Sequence, residues 1–319
     1  SFFIDIFEDD LIIIDYLGNS YFSKIEYLLN KKNSLNIKYI ENNLKEKNIE
    51  RVYDVLIDEQ NIYVAFVEDV NQCRKIVLSK AEINSQKLNF DDLFVSKTCH
   101  KSAGPGRMQI YNFSSEKGIL FSISSGSYND PSLEAQQKDN IYGKTVFFNL
   151  QNKRYSIFSL GHRVIQGLSV NEDLILATEH GPRGGDEINV LKENHNYGWP
   201  IASYGEKYDF KYNKNPFFKK DHFKHGFQEP IYSFFPAIGI SEIIKLPNGF
   251  SKMHQNVFIV SSLYGKSIFL IKLNNENNGI IYSEKIFLNE RIRDLKYDEK
   301  NEIILLAFEE NGELGILAK

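Results

Sequence analysis

The chain has 319 residues, a length that accommodates either two ordinary domains or one large all-β domain. Hydrophobic residues make up 42% and charged residues 25% of the sequence, as in ordinary soluble globular proteins. The formal net charge is −4 and no concentrated basic patch occurs, so the sequence does not predict a nucleic-acid-binding protein. No apolar run approaches the roughly 18 residues needed to span a bilayer, so no membrane span is predicted.

Short apolar runs, many of them alternating with polar residues, recur along the chain and predict β-strands. The segment Ser1–Phe7 is apolar but lacks the basic start and the small-residue cleavage site of a signal peptide, so it is predicted as the first strand. Only Tyr27–Asn30 and Ile40–Lys47 have a helical pattern, and both are short. The further predicted strands, in chain order, are Leu11–Asp15, Val52–Ile57, Ile62–Val67, Lys75–Ser79, Ile119–Ser124, Thr145–Asn149, Leu174–Thr178, Ile240–Leu246, Val257–Ser261, Ser267–Leu273, Ile280–Phe287 and Glu302–Phe308.

A weak internal repeat favours one architecture among the all-β folds. Segments that begin at Asp54, Gly167 and Asp294 share one plan: a strand, an acidic or Asn-containing turn, and a strongly apolar strand. A four-stranded propeller blade spans about 40–50 residues, and six units of about 53 residues would use up the chain. The sequence therefore predicts a six-bladed β-propeller with four-stranded antiparallel blades, forming a single domain over residues 1–319. The irregular stretch Tyr204–Gln228 is predicted to overhang the end of the propeller where loops form sites.

Two cysteines, Cys73 and Cys99, are too few for a zinc site or a disulfide framework. They form one bridge if their strands are neighbours with Cα atoms within about 7 Å, and they are free thiols otherwise. The sequence leaves both alternatives open.

The densest motif follows the predicted strand Leu174–Thr178. It reads Glu-His-Gly-Pro-Arg-Gly-Gly-Asp-Glu-Ile-Asn over residues 179–189. The Gly-Pro and Gly-Gly pairs force an unusual backbone path that can turn carbonyl oxygens outward. Carbonyls beside a carboxylate are hard oxygen ligands that suit Ca²⁺. The alternative is a Gly-rich hairpin in which Asp186 and Glu187 only cap turns.

This motif, together with residues 160–168 and 196–200, resembles the signature GHRNxQGL…E[HQ]GPxGGDEIN…NYGWP of the glucose/sorbosone dehydrogenase family. Residues 291–294, Arg-Ile-Arg-Asp, resemble a later element of the same family, and the resemblance extends from about residue 50 to the C-terminus. It implies a six-bladed propeller that binds the quinone PQQ and Ca²⁺ and oxidises an aldose sugar at C1 to a lactone. It also implies an external electron acceptor and a periplasmic or secreted location.

The resemblance further implies a role for each matched residue around the metal. The backbone carbonyls of Gly181 and Pro182 would bind Ca²⁺, and Asp186 would support the ion from nearby. Arg163 would donate a hydrogen bond to the quinone oxygen on which negative charge develops, so it is expected to act in catalysis as well as in cofactor binding.

The remaining site residues are expected in the same pocket as Arg163, with His100 at its edge. Arg291 and Arg293 alternate along a strand and would clamp the carboxylates of PQQ, with His180 beside them. His100 would take the proton of the sugar hydroxyl, because histidine titrates near neutral pH. The alternatives are a surface strand edge for the two arginines and an isolated turn histidine for His100.

Several positions depart from the family pattern. Ser125 stands where the family has the aspartate that orients the catalytic histidine, Val164 replaces an asparagine, and Tyr264 replaces a cofactor-binding lysine. Asp130 is a candidate substitute for the missing carboxylate. These departures predict impaired catalysis. They leave two other functions open: a degenerate propeller that serves as a sugar-binding or interaction module, and a lactonase-like hydrolase with Ca²⁺ in its channel.

Overall fold

The structure is a computed structural model that describes residues 1–29, 36–126, 133–208, 218–248, 250 and 256–318. Within these ranges nearly all regular structure is β-strand, arranged in six separate sheets. The helical segments are the α-helix α1 (Ile25–Leu29) and the 3₁₀ turns Asn43–Glu46, Glu134–Gln136 and Phe223–His225. None of the described helices has the length and apolar character that crossing a bilayer requires.

Each sheet is one blade, numbered here by the position of its first strand in the chain. Blade 1 comprises β1 (Phe2–Phe7), β2 (Asp10–Asp15), β3 (Ser20–Lys24), β4 (Lys38–Asn42) and β8 (Lys87–Leu88). Blade 2 comprises β5 (Ile49–Asp58), β6 (Asn61–Asp69), β7 (Arg74–Glu82) and β9 (Asp91–Val95). Blade 3 comprises β10 (Pro105–Phe113), β11 (Glu116–Ile123), β12 (Lys144–Asn149) and β13 (Tyr155–Leu160).

The second half of the chain forms the other three blades. Blade 4 comprises β14 (Ile165–Asn171), β15 (Leu174–Glu179), β16 (Asp186–Val190) and β17 (Tyr232–Phe234). Blade 5 comprises β18 (Ile240–Lys245), β19 (Val257–Ser262), β20 (Ser267–Leu273) and β21 (Ile280–Phe287). Blade 6 comprises β22 (Ile292–Asp298), β23 (Ile303–Phe308) and β24 (Leu314–Ala318). Neighbouring strands pair antiparallel, except that β4 and β8 of blade 1 pair in parallel.

The blades close into a ring because the first strand of each blade packs against the first strand of the next, and β22 packs against β1. Six apolar cores fill the spaces between neighbouring blades. Strand β2 shows how the sequence achieves this: Leu11 and Ile13 enter the core shared with blade 6, whereas Ile12 and Ile14 enter the core shared with blade 2. Alternate side chains point to opposite faces, so a strand buried on both faces reads as a continuous apolar run.

The predicted six-bladed propeller with four-stranded antiparallel blades is confirmed, with local differences. Among the described residues, blade 1 has a fifth, parallel strand and blade 6 has three strands. The predicted helical segment Ile40–Lys47 is wrong over its first half, because fully buried Ile40 packs as part of β4 in the core between blades 1 and 2. Only Asn43–Glu46 forms a 3₁₀ turn, capped by the side chain of Asn42.

Two further predictions from the sequence have an outcome here. Cys73 and Cys99 form a disulfide with their Cα atoms 5.4 Å apart, so the bridged alternative is the correct one. The described part of Tyr204–Gln228 contains the 3₁₀ turn Phe223–His225 and single bridge residues at Glu206 and Lys219, but no strand or α-helix, as expected for a loop; residues 209–217 lie outside the described residues.

Candidate functional site

The matched motifs lie at one end of the propeller because of antiparallel pairing. In blade 4 the first residue of β14, Ile165, pairs with the last residue of β15, Glu179. Arg163, which precedes β14, is therefore beside the loop that follows β15. The same logic places Arg291 and Arg293, at the start of β22, beside Glu309, which follows β23.

A cavity at this end, here called the loop cavity, has a volume of about 980 Å³. It brings together five of the predicted site residues: Arg163, His180, Gly181, Pro182 and Asp186. Val164 and Tyr264, two of the positions that depart from the family pattern, line the same cavity. Tyr264 is 77% exposed, so it lies at the solvent-exposed rim of the cavity rather than in its interior.

A second cavity of about 200 Å³, here called the channel cavity, shares His180 with the first. Several of its lining residues lie where the pairing register of an inner strand shifts. The register shifts between Val52 and Asp54, Pro105 and Met108, Ile165 and Gly167, and Ile292 and Asp294. Such bulges redirect side chains out of the regular alternation. The residues within these shifts that line the cavity are Tyr53, Gly106, Arg107, Gln166 and Arg293.

Arg163 is buried between the loop that follows β15 and the segment that contains Trp199. Its backbone N–H donates to the carboxylate of Glu179, and one guanidinium nitrogen, Nη1, donates to the carbonyls of His180 (3.1 Å) and Gly181 (2.9 Å). The guanidinium also lies over the ring of Trp199, 5.4 Å from its centroid. Arg163 therefore holds the predicted metal loop from the cavity side.

The predicted metal loop is closely packed on itself. A side chain at Gly181 would place its Cβ 2.2 Å from the carbonyl oxygens of Gly184 and Gly185, so only glycine fits. The carbonyl of Pro182 accepts a hydrogen bond from the hydroxyl of Tyr208 (2.7 Å). The carbonyls of Gly181 and Pro182 thus accept side-chain donors, whereas the carbonyl of Arg183 accepts from the backbone N–H of Glu206 (2.9 Å).

Asp186 fixes this loop to blade 5. One carboxylate oxygen accepts from the N–H of Gly181 (3.0 Å), and the other accepts from the N–H groups of Ile238 (2.9 Å) and Ile240 (3.0 Å). Three backbone donors therefore saturate much of its accepting capacity. Among the described residues no group of three or more His, Cys, Asp or Glu side chains is arranged to hold a metal ion.

His180 lies at the junction of the two cavities. Its Nε2 atom is buried and has no hydrogen-bond partner among the described residues. Burial, reinforced by the positive charges of Arg163 and Arg293 and opposed by Asp186, lowers the pKa of His180 to about 4. The ring is thus neutral at pH 7, and its buried nitrogen is available to a ligand.

Arg291 and Arg293 share one carboxylate. Glu309 accepts from Arg291 Nη2 (2.9 Å) with one oxygen and from Arg293 Nε (3.2 Å) with the other. Arg293 also donates to the side-chain oxygen of Gln166 (2.9 Å). The side chain of Arg293 is 10% exposed and lines the channel cavity, whereas that of Arg291 is 35% exposed and lines neither cavity. Burial would raise the pKa of Glu309, but the two guanidinium groups outweigh it and lower the pKa.

His100 lines neither the loop cavity nor the channel cavity. Its backbone pairs with Arg74, next to the disulfide of Cys99. Its Nε2 contacts Oε2 of Glu134 at 3.1 Å, and its Nδ1 accepts from the N–H groups of Ser102 (3.1 Å) and Ala103 (2.9 Å). The carboxylate beside His100 is therefore Glu134. Asp130, the candidate from the sequence, lies outside the described residues.

Ser125 has a different environment from the one that the family pattern implies. Its hydroxyl accepts a hydrogen bond from the indole N–H of Trp199 (3.0 Å), and its N–H donates to the carbonyl of Arg163 (3.0 Å). No contact joins Ser125 to His100 among the hydrogen bonds of the described residues. Sequence reasoning missed Glu134, Arg51 and Tyr53; Gln166 was visible in the matched motif but received no role.

Comparison with known proteins identifies the family. The family model described as Glucose / Sorbosone dehydrogenase matches residues 52–316. The chain belongs to the glucose/sorbosone dehydrogenase family. All of the predicted site residues lie within the matched range.

Two relatives show how far the sequence similarity extends. An uncharacterized protein of Synechocystis is 25% identical over 275 residues, which cover 79% of this chain and 66% of the relative. The aldose sugar dehydrogenase YliI of Escherichia coli is 29% identical over 217 residues, which cover 62% of this chain and 56% of the relative. The matched part is thus less than two thirds of the length of each of these relatives.

Solved structures share the fold over nearly their whole length. The apo-form of the soluble aldose sugar dehydrogenase of Escherichia coli has a TM-score of 0.78 at 18% identity, with 100% of this chain and 96% of that chain covered. The PQQ-bound aldose sugar dehydrogenase of Streptomyces coelicolor has a TM-score of 0.70 at 15% identity, with 97% and 90% covered. At these identities the similarity establishes the propeller fold alone.

Proposed function

We propose that this protein is a sugar dehydrogenase that uses PQQ bound at the channel end of a single propeller domain spanning residues 1–319. Membership of the glucose/sorbosone dehydrogenase family supports sugar oxidation, and one structural relative is described as a PQQ-bound aldose sugar dehydrogenase. The observation that carries the proposal is the donor-rich lining of the channel cavity.

The lining of the channel cavity fits an anionic, acceptor-rich cofactor. Arg51 and Arg293 bring two guanidinium groups to it, and the Nε atom of Arg51 is buried without a partner among the described residues. The Nε2 atom of His180 is a second buried nitrogen without a partner on the same lining. Unsatisfied buried polar atoms are destabilising, so a ligand that supplies acceptors would bind favourably here. The carboxylates of PQQ provide such acceptors, and guanidinium groups bind carboxylates with two parallel hydrogen bonds.

The loop cavity supplies the proposed metal and quinone contacts. Gly181 and Pro182 would bind Ca²⁺ through their carbonyls, since each carbonyl oxygen has a second lone pair beyond the hydrogen bond that it accepts. Asp186 would hold the loop in place through its three backbone bonds rather than by contacting the ion. Arg163 would lie beside the quinone. The bound cofactor supplies a two-electron acceptor polarised by the metal ion.

The finer features of the proposal follow the family. The substrate would be an aldose oxidised at C1 to a lactone, with the electrons passed to an external acceptor. The His100–Glu134 pair would handle the proton of the sugar hydroxyl. The disulfide Cys73–Cys99 supports a periplasmic or secreted location, because disulfides persist in oxidising compartments.

The test is titration of the apo protein with PQQ, with and without Ca²⁺, followed by absorbance and by dye-linked sugar oxidation. Arg51→Gln and Arg293→Gln each remove a charge-assisted bond of about 1.5–3 kcal/mol, so we expect PQQ affinity to fall about 10- to 100-fold. The matched control is Arg154→Gln, which removes an exposed arginine from the turn between β12 and β13. Failure of the wild type to bind PQQ at micromolar concentration would refute the proposal.

A second function, a sugar-binding module without turnover, is favoured by Tyr264. An exposed tyrosine stands at the rim of the loop cavity where the family pattern has a cationic lysine. Exposed aromatic rings at a cavity rim provide apolar surface with a polar tip, which suits a sugar ligand. Sugar binding by the apo protein, unaffected by PQQ and unaccompanied by dye reduction, would support this function over the first.

A further inference from the structure

The side-chain nitrogen of Lys220 contacts three consecutive backbone carbonyls. Its Nζ donates to the carbonyl oxygens of Ser203 (2.9 Å), Tyr204 (2.7 Å) and Gly205 (2.5 Å). A protonated lysine has three N–H donors and a neutral amine has two, so three donated bonds require the charged form. Among the described residues these three carbonyls accept no other hydrogen bond. Lys220 therefore brings a positive charge to carbonyls that otherwise lack a donor.

The backbone beside Lys220 fixes this contact. Lys219 forms a parallel bridge with Ala202, and the N–H of Ser203 donates to the carbonyl of Lys219 (3.1 Å). The hydroxyl of Ser203 accepts from the N–H of Gly205 (3.1 Å), which closes residues 203–205 into a turn, here called the carbonyl turn. Carbonyl oxygens that converge on one point repel one another unless a positive charge lies between them.

The carbonyl turn packs against the predicted metal loop. Arg183 of that loop and Glu206, which follows the turn, exchange two backbone hydrogen bonds of 3.1 and 2.9 Å. A Cβ built on Gly205 would lie 2.7 Å from Cδ of Pro182, so the backbone of the turn is in direct contact with the loop. The position of the carbonyl turn therefore limits where the carbonyl of Pro182 can lie.

Carbonyls rather than a carboxylate hold the charge of Lys220. No ion pair joins Lys220 to a carboxylate in the part of the chain that the structure describes, although Glu206 and Glu187 are near enough to favour its charged form. Lys220 also lines neither the loop cavity nor the channel cavity. Any effect of this residue on a ligand must therefore pass through the backbone that it holds.

We infer that the ammonium of Lys220 is an internal cation that positions the predicted metal loop for Ca²⁺; this inference rests on the proposed function. The ammonium offsets the repulsion among the converging carbonyls and keeps the carbonyl turn closed. The closed turn then holds Arg183 and Pro182 through the two backbone bonds and the contact of Gly205. Without this charge the turn would open, and the carbonyls of Gly181 and Pro182 would no longer be held together for one ion.

The experiment compares Lys220→Met with the wild type in Ca²⁺ titrations at a fixed concentration of PQQ. We expect the Ca²⁺ affinity to fall about 10- to 100-fold, the usual effect of losing a charged hydrogen-bonding group. PQQ affinity in the presence of a chelator should stay unchanged, because the arginines of the channel cavity are untouched. Lys219→Met is the control: it makes an equal charge change at the neighbouring exposed residue and should leave both affinities unchanged.

A second measurement needs neither ligand. In the apo protein, hydrogen exchange at the N–H groups of Arg183 and Glu206 should be faster in Lys220→Met than in the wild type, while exchange in β20 of blade 5 stays the same. A general loss of stability would instead accelerate both regions. If Lys220→Met does not fold, Lys220→Gln replaces it, because one amide group can donate to at most two of the three carbonyls.

Addition of methylammonium separates the charge from the side chain. In Lys220→Ala, methylammonium chloride should restore slow exchange at Arg183 and Glu206 and raise the Ca²⁺ affinity, whereas sodium chloride at the same ionic strength should not. Wild-type exchange at both N–H groups in Lys220→Met, or an unchanged Ca²⁺ affinity, would overturn the inference. If the wild type binds neither PQQ nor Ca²⁺, the proposed function fails, and the exchange data still decide whether Lys220 holds the loop.

Discussion

Substitution of Arg107 tests what holds the six blades together at the channel. Arg107 is on β10, is 3% exposed, and forms ion pairs with carboxylates of three other blades. Its partners are Asp54 Oδ1 (2.8 Å), Glu242 Oε2 (3.0 Å) and Asp294 Oδ1 (3.2 Å), the carbonyls of Gln166 (2.7 Å) and Arg293 (2.6 Å), and the ring of Phe3 (4.9 Å to the centroid). These residues come from the first strands of the five other blades, so one side chain joins the whole ring.

Arg107→Met removes the charge and keeps much of the apolar stem. Breaking a buried ion pair by deleting one partner costs about 3–5 kcal/mol, because the other charge stays buried without compensation. Arg107 has three such partners, so the loss should be at least this large. Unfolding entropy of about 2.1 cal/mol/K per residue gives about 0.7 kcal/mol/K for 319 residues, so Tm should fall by about 4–7 °C or more.

The pH dependence of the loss gives a second, independent check. Burial raises the pKa of Glu242 to about 7, although Arg107 opposes the shift. A carboxyl with a raised pKa in the folded state binds its proton more tightly when folded, so its contribution to stability falls as pH rises from about 4.5 through 7. Without Arg107 the shift becomes larger, and the difference between wild type and variant should widen from pH 5 to pH 8.

The assay is urea unfolding of Arg107→Met at pH 5 and pH 8. Arg107→Lys keeps a positive charge, so its free energy of unfolding should fall by less. This variant replaces Arg107→Met in the comparison if Arg107→Met does not fold. Arg154→Met, at an exposed turn, should stay within about 0.5 kcal/mol of the wild type. A loss below about 1 kcal/mol, or a difference that does not change with pH, would refute the view that this cluster stabilises the ring.

Two further predictions concern the disulfide and His180. Replacing Cys73 and Cys99 together by serine should lower the free energy of unfolding by about 3 kcal/mol, because the bridge closes a loop with a sequence separation of 26; unfolding curves that coincide with and without reductant would contradict this. The pKa of His180 is lowered from 6.5 to about 4, so the unfolded chain binds more protons and stability is lost as pH falls through that window, by about 3 kcal/mol at most. His180→Gln should show a smaller loss between pH 7 and pH 4 in thermal melts, and an equal loss would contradict the prediction.

The sequence predicted strands that carry a clear apolar pattern better than strands that lack one. Ser267–Leu273 and Ile280–Phe287 were predicted with the bounds that β20 and β21 have, although β21 is an outer strand without a buried residue, whereas β4 was missed. In β4 only Ile40 and Asn42 are buried, and Tyr39 is 43% exposed, so the apolar signal is weak. Strand β8 has two residues, and its partner β4 is more than 40 residues earlier in the chain, so no local sequence pattern can indicate the pairing.

The candidate site was predictable where its residues follow one another in a motif. Residues 179–189 run from the end of β15 through one short loop into β16, so their proximity follows from the chain itself. Arg51 and Tyr53 reach the channel cavity through irregular pairing of β5, and the sequence gives no signal for such a bulge. Glu134 is 34 residues from His100, and spacing alone could not show which carboxylate meets the histidine.

The contact between Glu134 and His100 also changes the expectation for Ser125. From the family pattern, Ser125→Asp should restore a missing orienting carboxylate and raise activity. In the structure Ser125 is fully buried against Trp199, and the Nε2–H of His100 is already bonded to Glu134. A new buried carboxylate would gain one N–H donor from the indole and would lack further compensation, so we expect a loss of about 1–3 kcal/mol in stability.

We therefore expect Ser125→Asp to leave kcat unchanged or lower it, with PQQ affinity retained. The measurement is dye-linked turnover of saturating sugar together with urea unfolding of the same preparation. Ser125→Ala is the control, because it removes the bond to Trp199 without adding a charge. Since the histidine is satisfied by a carboxylate from another segment, an aspartate at this position has no ring nitrogen left to orient. A tenfold or greater gain in kcat for Ser125→Asp would show that His100 does lack its carboxylate, and would reject the contact with Glu134 as the functional one.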